Sequence, residues 1–389
     1  MKKKVIFLLM LTSLFGLVIG CSGEQKESAS SGTSSSDIEL PEQIVMTTYD
    51  IGSSGYTQLS AISDAITKEF GAQIRMMPSA SGLGRLQPLK DETALFGGRL
   101  ADEVYFAFEG IEEFAVPQWG PQDITFMYPI VNQYGFLVLE DSKFETIEDL
   151  KGAKFPRIIG NPSINIKNEA LLAAAGLTYD DVEVVEIASY GDQTDLLAQG
   201  KLDVATTVPS AAMVFEAAEL HGVRWLDISI IEDDEALERL REIYPSAVVS
   251  PWDIGGALTK GEPEIFLGYT TYAPAAYRDV DANFVYNWLK ALEATFDTYS
   301  QVSEDMSVWH YEESVPEPLS VPIHEGGVQY FKEKGLWNDE FEKKNNELIE
   351  RQKKLKEAWE TVVEESSEKG LSESEFPEYW LKRKAELLD

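Results

Sequence analysis

The chain has 389 residues, 44% of them hydrophobic, with 8 Trp, 16 Tyr and 18 Phe, and a formal net charge of −34. A surface this acidic repels nucleic acid and anionic lipid headgroups, so neither is an expected partner by charge. One cysteine in the whole chain excludes an internal disulfide, so stability has to come from burial.

The N-terminus opens with Lys2, Lys3 and Lys4, followed by a nearly unbroken apolar run over residues 5–20. That run is shorter than the roughly 20 residues of a spanning helix and reads as the apolar region of a signal peptide. It closes on Val18-Ile19-Gly20-Cys21, the pattern of a bacterial lipobox. Residues 1–20 are therefore expected to be a lipoprotein signal peptide and Cys21 the lipidation site. Residues 21–41 are predicted to be a tether, rich in Ser and Gly up to Asp37. At about 5–6 Å times the square root of length, sixteen such residues reach roughly 20–24 Å.

From Gln43 short apolar runs alternate with amphipathic stretches, the pattern of an α/β protein. Residues 44–49 read as a strand, and Gly52-Ser53-Ser54-Gly55 as a turn. Leu59, Ile62, Ile66 and Phe70 then mark one face of a helix. Residues 73–77 are a second strand, Ser79-Ala80-Ser81-Gly82 a second turn, with helices from about Leu83 and over 102–110. The run near 128–139 is placed as the crossing into a second lobe. Thr146 and Asp149 form a capping box closed by Gly152. A strand over 155–159, the turn Asn161-Pro162-Ser163 and a helix over 165–175 follow. Strands over 182–187, 202–206 and 223–228, and helices ending at Gly200 and starting near Pro209, complete that lobe. Residues 264–271 are expected to be the strand returning to the first lobe, with long helices over 281–299 and from about Asp305. Lobe 1 is thus expected over 42–130 and 256–337, lobe 2 over 131–255. The charged stretch 338–389, interrupted near Gly370 and Pro377, is expected to be a helical C-terminal extension, a packing or capping element in preference to a partner-docking arm.

Four turns lead from a strand towards a helix: 52–55, 79–82, 161–163 and 208–210. In open α/β lobes ligands sit outside the carboxyl ends of strands, where helix N-termini favour anions by about 0.3–1 kcal/mol each. The candidate ligand-binding residues are Ser53, Ser54, Tyr56, Ser79, Ser81, Arg85, Asn161, Ser163, Asn165 and Pro209. Ser and Asn at such positions also cap helices without any ligand. Arg85 is the candidate for bidentate pairing with a carboxylate, with Arg157 second; Tyr56, Tyr105 and Tyr134 are candidate walls. An enzyme is not expected. The three histidines, His221, His310 and His324, are scattered, no metal-ligand cluster is visible, and Gly82-Leu83-Gly84 falls short of a nucleotide fingerprint. No cofactor or metal is expected.

Several stretches, in order, carry a family resemblance. They are Gly52-Ser53-Ser54-Gly55-Tyr56, residues 102–110 (DEVYFAFEG), 146–154, 173–182 (AAAGLTYDDV), 200–205 (GKLDVA) and 322–336 (PIHEGGVQYFKEKGL). Together they resemble the TAXI family of solute-binding subunits of TRAP (tripartite ATP-independent periplasmic) transporters. The resemblance implies a type II periplasmic-binding-protein-like fold, two α/β lobes with a ligand cleft between them. It also implies a membrane permease driven by an ion gradient as partner. The chain departs from the family's glycine-rich pattern at 79–85 and 161–165, both at the expected cleft, and the tail after Trp337 has no counterpart. The expected function is capture of a small organic anion, a dicarboxylate or an acidic amino acid, for delivery to the TRAP permease. The alternative is a ligand-sensing lipoprotein that reports to a signalling receptor.

Overall fold

The computed structural model describes residues 38–388 apart from Gly52, Ala80 and residues 315–318. Cys21, the signal peptide and the tether up to Asp37 lie outside the described residues. Ile38 is buried in the core of the first lobe and Leu40 packs beside it, so the folded body starts before the end of the expected tether.

The first lobe begins with β1 (Gln43–Thr48), α1 (Ser54–Phe70), β2 (Gln73–Pro78), α2 (Gly82–Lys90), β3 (Phe96–Leu100), α3 (Glu103–Glu109) and β4 (Ile124–Phe126). Leu59, Ile62 and Ile66 of α1 are buried, as their spacing predicts. The second lobe holds β5 (Asn132–Leu139), β6 (Lys154–Ile158), α4 (Pro162–Ala174), β7 (Glu183–Ile187), α5 (Gln193–Ala198), β8 (Ala205–Thr207), α6 (Ala212–His221), β9 (Val223–Trp225), α7 (Asp234–Ile243), β10 (Ala247–Trp252) and β11 (Glu264–Tyr269). The chain then returns through β12 (Ala273–Tyr277), α8 (Ala282–Tyr299) and α9 (Glu325–Glu333). It ends in α10 (Asp339–Lys369) and α11 (Phe376–Leu388).

Five strands form the first sheet in the order β2-β1-β3-β12-β4. β2 and β3 run parallel to β1, and β12 is antiparallel to β3 and β4. The second lobe is built round β5, which pairs antiparallel with β11, β8 and β9, while β6 and β7 form a parallel pair. Each lobe has its own hydrophobic core. The segments 127–131 and 270–272 connect the sheets. The result is a two-lobed α/β architecture with helices at the C-terminus.

Two expectations are corrected here. Residues 264–271 do not return the chain to the first lobe: Leu267 pairs with Tyr134 and Val249, and the return strand is β12. An apolar run fixes burial but not which sheet accepts it. The helix expected from Asp305 is instead two short 3₁₀ turns, Glu304–Trp309 and Tyr311–Glu313. The Trp309 carbonyl that a longer helix would engage accepts from Tyr128 Oη (3.1 Å).

The extension packs onto the first lobe. Leu348, Leu355, Ala358, Val362, Phe376 and Trp380 join that lobe's core. Gly370 ends α10 in the left-handed region at φ 68°, and Pro377 sits in the first turn of α11, where its missing N–H costs nothing. Trp380 is fully buried and its Nε1 donates to the Gly110 carbonyl (2.7 Å). No helix among the described residues is long and apolar enough to cross a membrane.

Truncating a buried Trp costs about 3–5 kcal/mol. Trp380→Ala is expected to lose that much in urea unfolding. A loss under about 1 kcal/mol would show the extension to be loosely attached.

Candidate functional site

The site lies where the carboxyl ends of the first sheet face the second lobe. β3 carries a bulge there. Met46 pairs with Phe96 and Thr47 with Gly97, yet Thr48 pairs with Arg99, and the pairing of β12 with β3 slips at the same place. Gly97 and Gly98 absorb the extra residue: a Cβ at Gly98 would stand 2.6 Å from Met46 Sδ. The slip re-aims Arg99 towards α1 and the crossovers.

Arg99 is 2% exposed. Its Nη1 donates to Gln58 Oε1 and its Nη2 to Asn132 Oδ1. Its guanidinium lies 4.3 Å from the Tyr272 ring centroid and 5.3 Å from that of Trp309. Asn132 also donates to the Ile130 and Tyr272 carbonyls (2.8 and 3.1 Å), tying the two crossovers together. Arg99 Nε has no acceptor, and the hydroxyls of Thr47 and Thr48 are buried without partners. Burial pulls the Arg99 pKa below its ordinary value. Among the described residues Arg99 has no carboxylate in salt-bridge range; Asp305 acts on its charge from farther off and is bonded by Gln58, whose Nε2 donates to Asp305 Oδ2 (2.5 Å). Tyr272 Oη accepts from the Gly55 amide (3.0 Å) at the start of α1, and a Cβ at Gly55 would fall 2.1 Å from that oxygen.

Asp102 joins the lobes. It stands at the N-cap of α3 but makes no side-chain cap bond. Its fully buried carboxylate instead accepts from Ser163 Oγ (2.7 Å) and Lys167 Nζ on α4, Tyr244 Oη (2.6 Å) after α7, and Thr271 Oγ1 (2.5 Å) in the crossover. Burial, then the Asp102 charge, pushes the Tyr244 phenol well above its usual range. Two further bonds cross the cleft, Asn161 Nδ2 to Tyr49 Oη (3.4 Å) and the exposed pair Lys260–Glu304 (2.9 Å).

Arg85 is buried and already engaged. Its Nε meets Glu103 Oε1 at 2.6 Å, its Nη1 donates to the Ser79 carbonyl (2.7 Å), and its guanidinium lies 3.9 Å from the Tyr49 ring centroid. Tyr49 and Tyr272 meet edge to face at 5.7 Å. The order along this wall is Arg85, Tyr49, Tyr272, Arg99. Burial raises the Tyr49 phenol to about 12, with Arg85 opposing.

The other sequence candidates fall into two groups. Ser53, Ser81 and Asn161 cap α1, α2 and α4, accepting from the amides of Tyr56 (3.1 Å), Gly84 (3.1 Å) and Ile164 (3.2 Å). Ser54 begins α1, Tyr56 lies half-buried in its first turn, and Ser163 reaches Asp102. These, with Ser79 and Arg85, border the cleft. Asn165 instead braces its own loop through the Ile158 amide and carbonyl (2.9 and 2.8 Å). The Pro209 carbonyl accepts from Gly256 (2.9 Å). Arg157 is exposed beside Tyr179, Tyr105 packs on Phe106, and Tyr134 is core, bonded to Asn168 (2.6 Å). Sequence reasoning missed Arg99, Tyr49, Gln58, Asn132, Lys167, Tyr272 and Trp309. The Gly97-Gly98-Arg99 run is the signal that could have found the first: paired glycines mark a bulge, and an arginine inside a buried strand needs a reason.

The model of the NMT1-like family matches residues 47–335. The chain belongs to the NMT1-like family. Among solved structures, the periplasmic aliphatic sulphonate binding protein SsuA from Escherichia coli is similar over 76% of this chain and 88% of its own, at 16% identity and a TM-score of 0.41. R. palustris Rpa4515 with adipate is similar over 69% and 88%, at 11% identity and a TM-score of 0.47. No curated protein matches the chain. The NMT1-like segment holds every cleft residue named above, from Tyr49 to Trp309, and ends before α10.

Removing one partner of a buried ion pair costs about 3–5 kcal/mol, because the other charge is left uncompensated. Lys167→Met should lose stability on that scale in urea, and adding Asp102→Asn should restore part of it. No recovery in the double variant would mean that Lys167 acts apart from Asp102. A second expectation concerns Glu113, which borders α2: a Cβ at Gly82 would lie 2.5 Å from its Oε1, and its Oε2 is buried without a partner. Burial raises its carboxyl from 4.5 to about 7. Between those values the folded state holds the proton that the unfolded state has lost, so stability falls as pH rises through that window. Glu113→Gln should flatten the decline in urea midpoint between pH 4.5 and 7; an unchanged slope would place the titrating group elsewhere.

Proposed function

We propose that this NMT1-like protein is an extracytoplasmic lipoprotein, acylated at Cys21, that binds a small organic anion between its lobes and delivers it to an ion-gradient-driven TRAP permease. The observation that carries the anion is Arg99, a buried guanidinium with an unused Nε and only neutral acceptors on its other nitrogens. Burying a cation without a counter-charge is costly, and a carboxylate placed against it removes that cost. The unpartnered Thr48 hydroxyl and the start of α1 supply further donors beside it.

Capture is a hinge motion about residues 127–131 and 270–272, with Asn132 as the shared strut. The permease as partner is supported by the transporter-subunit resemblance of residues 102–110, 200–205 and 322–336. An acyl chain on Cys21 keeps the protein near that permease, each buried methylene adding roughly 0.8 kcal/mol of anchoring.

A thermal-shift panel of organic acids, amino acids and neutral sugars tests the reading. An organic acid should raise the melting temperature, and Arg99→Gln should weaken its binding at least tenfold in calorimetry. Stabilisation by neutral sugars alone would end the anion reading. In proteoliposomes bearing the TRAP permease, uptake of the same acid should need both this protein and an ion gradient. Binding without uptake would favour the ligand-sensing role.

A further inference from the structure

We propose that the bound anion carries a single carboxylate on an uncharged body that lies against aromatic rings, which is narrower than the dicarboxylate or acidic amino acid expected from sequence. This rests on the anion reading above. Three cations are buried among the described residues: Arg85, Arg99 and Lys167. Two are neutralised from within the chain. Glu103 holds Arg85 at 2.6 Å, and Asp102 holds Lys167. One positive charge is left for a ligand, and Arg99 carries it.

Where a second ligand carboxylate would sit, the cation is already paired. The sequence pointed to the turn at 79–82 and Arg85, but there the chain supplies its own carboxylate. Glu103 Oε2 is buried with no partner, so the ligand would meet an unsatisfied acceptor rather than a donor. Glu113 adds a second buried carboxyl oxygen beside α2, also without a partner. A second negative charge at this end finds no unpaired cation, since Glu103 already holds Arg85, and in a buried site that is a heavy penalty. The chain's net charge of −34 adds a field of the same sign, opposing a dianion twice as strongly as a monoanion.

Between the two arginines the wall is aromatic. Tyr272 stands 4.3 Å from Arg99, Tyr49 stands 5.7 Å from Tyr272, and Arg85 stands 3.9 Å from Tyr49. Rings and phenol hydroxyls suit a flat or apolar body with neutral polar groups. They provide no counter-charge for a second acid.

Calorimetry on the full-length protein with matched probes decides it: benzoate against terephthalate, butyrate against succinate, and glutamate. The expected result is that in at least one pair the monoanion binds ten times more tightly than its dianion or more, and that glutamate is no better than the dianions. Glu103→Gln should free Arg85 and raise the affinity for the dianion of that pair at least tenfold, converting the preference. Dianions binding the wild-type protein as tightly as their monoanions would overturn this inference and leave the anion reading standing. Binding of neither class, with the neutral sugars positive, would remove the anion reading itself. Should Glu103→Gln fail to fold, the wild-type pairs give the answer alone.

Discussion

The arrangement of the two lobes depends on one buried carboxylate. Asp102 belongs to the first lobe, yet its bonds go to Ser163, Lys167 and Tyr244 of the second and to Thr271 in the crossover. An isolated carboxylate in such surroundings would be prohibitively costly. Four donors make it tolerable, and only with the lobes together are all four in reach. The position of Asp102 is in turn set by β3, two residues after its last. The bulge that aims Arg99 at the crossovers fixes the phase in which the strand ends, so one irregularity determines the direction of both charges. Arg99 faces the first lobe's own helix, while Asp102, three residues on, faces the second lobe.

The C-terminal extension supports the same element from its far end. Glu109, the last residue of α3, binds Arg351 and Lys384, and these hold its carboxyl below the usual range against the opposing effect of burial. Gly110 then takes the Trp380 indole on its carbonyl. A helix of seven residues has little stability of its own. With its start bonded to the second lobe and its end held by α10 and α11, it becomes a rigid strut between lobe interface and extension. This gives the acidic tail a structural purpose without any contact to the cleft, and it explains how a segment outside the NMT1-like match is continuous with the lobe's core.

What was legible in the sequence is what local chemistry dictates. The α1 face, the Thr146–Asp149 capping box and the Gly110 and Gly370 stops all follow from spacing and backbone preference. The strands β3, β4, β10 and β12 were not read; β3 is interrupted by two glycines that lower its strand signal, and β10 and β12 carry prolines that argue against a strand. The register of β11 was unreadable for a different reason: its apolar residues suit either sheet, and only the tertiary partner decides. At the site, Ser53, Ser81 and Asn161 were placed correctly at helix starts, since capping is a local property. Arg85 was singled out for its position beside a turn. Nothing local could show that Glu103, eighteen residues away, would occupy its guanidinium while Arg99 would be left without an acid.

The asymmetry between the buried cations bears on how closure is controlled. The Asp102–Lys167 pair gains attraction when the lobes meet but loses hydration, and for buried pairs these roughly cancel. It aligns the lobes while contributing little net drive. Arg99 differs: its Nη1 and Nη2 meet only neutral acceptors, its Nε meets none, and the Thr47 and Thr48 hydroxyls beside it are buried without partners. Under the proposed anion binding, a carboxylate placed against this group would remove the cost of burying it. Moving a two-state equilibrium from 1:99 to 99:1 takes about 5.5 kcal/mol of differential affinity. Hydrogen bonds to charged groups contribute about 1.5–3 kcal/mol each. Two or three such bonds, formed in full only with both lobes round the proposed anion, would be enough. A neutral solute of the same size would fill the space but leave Arg99 uncompensated, so it would bind without shutting the cleft. Under that proposal, one arginine without an acid partner would make closure conditional on negative charge.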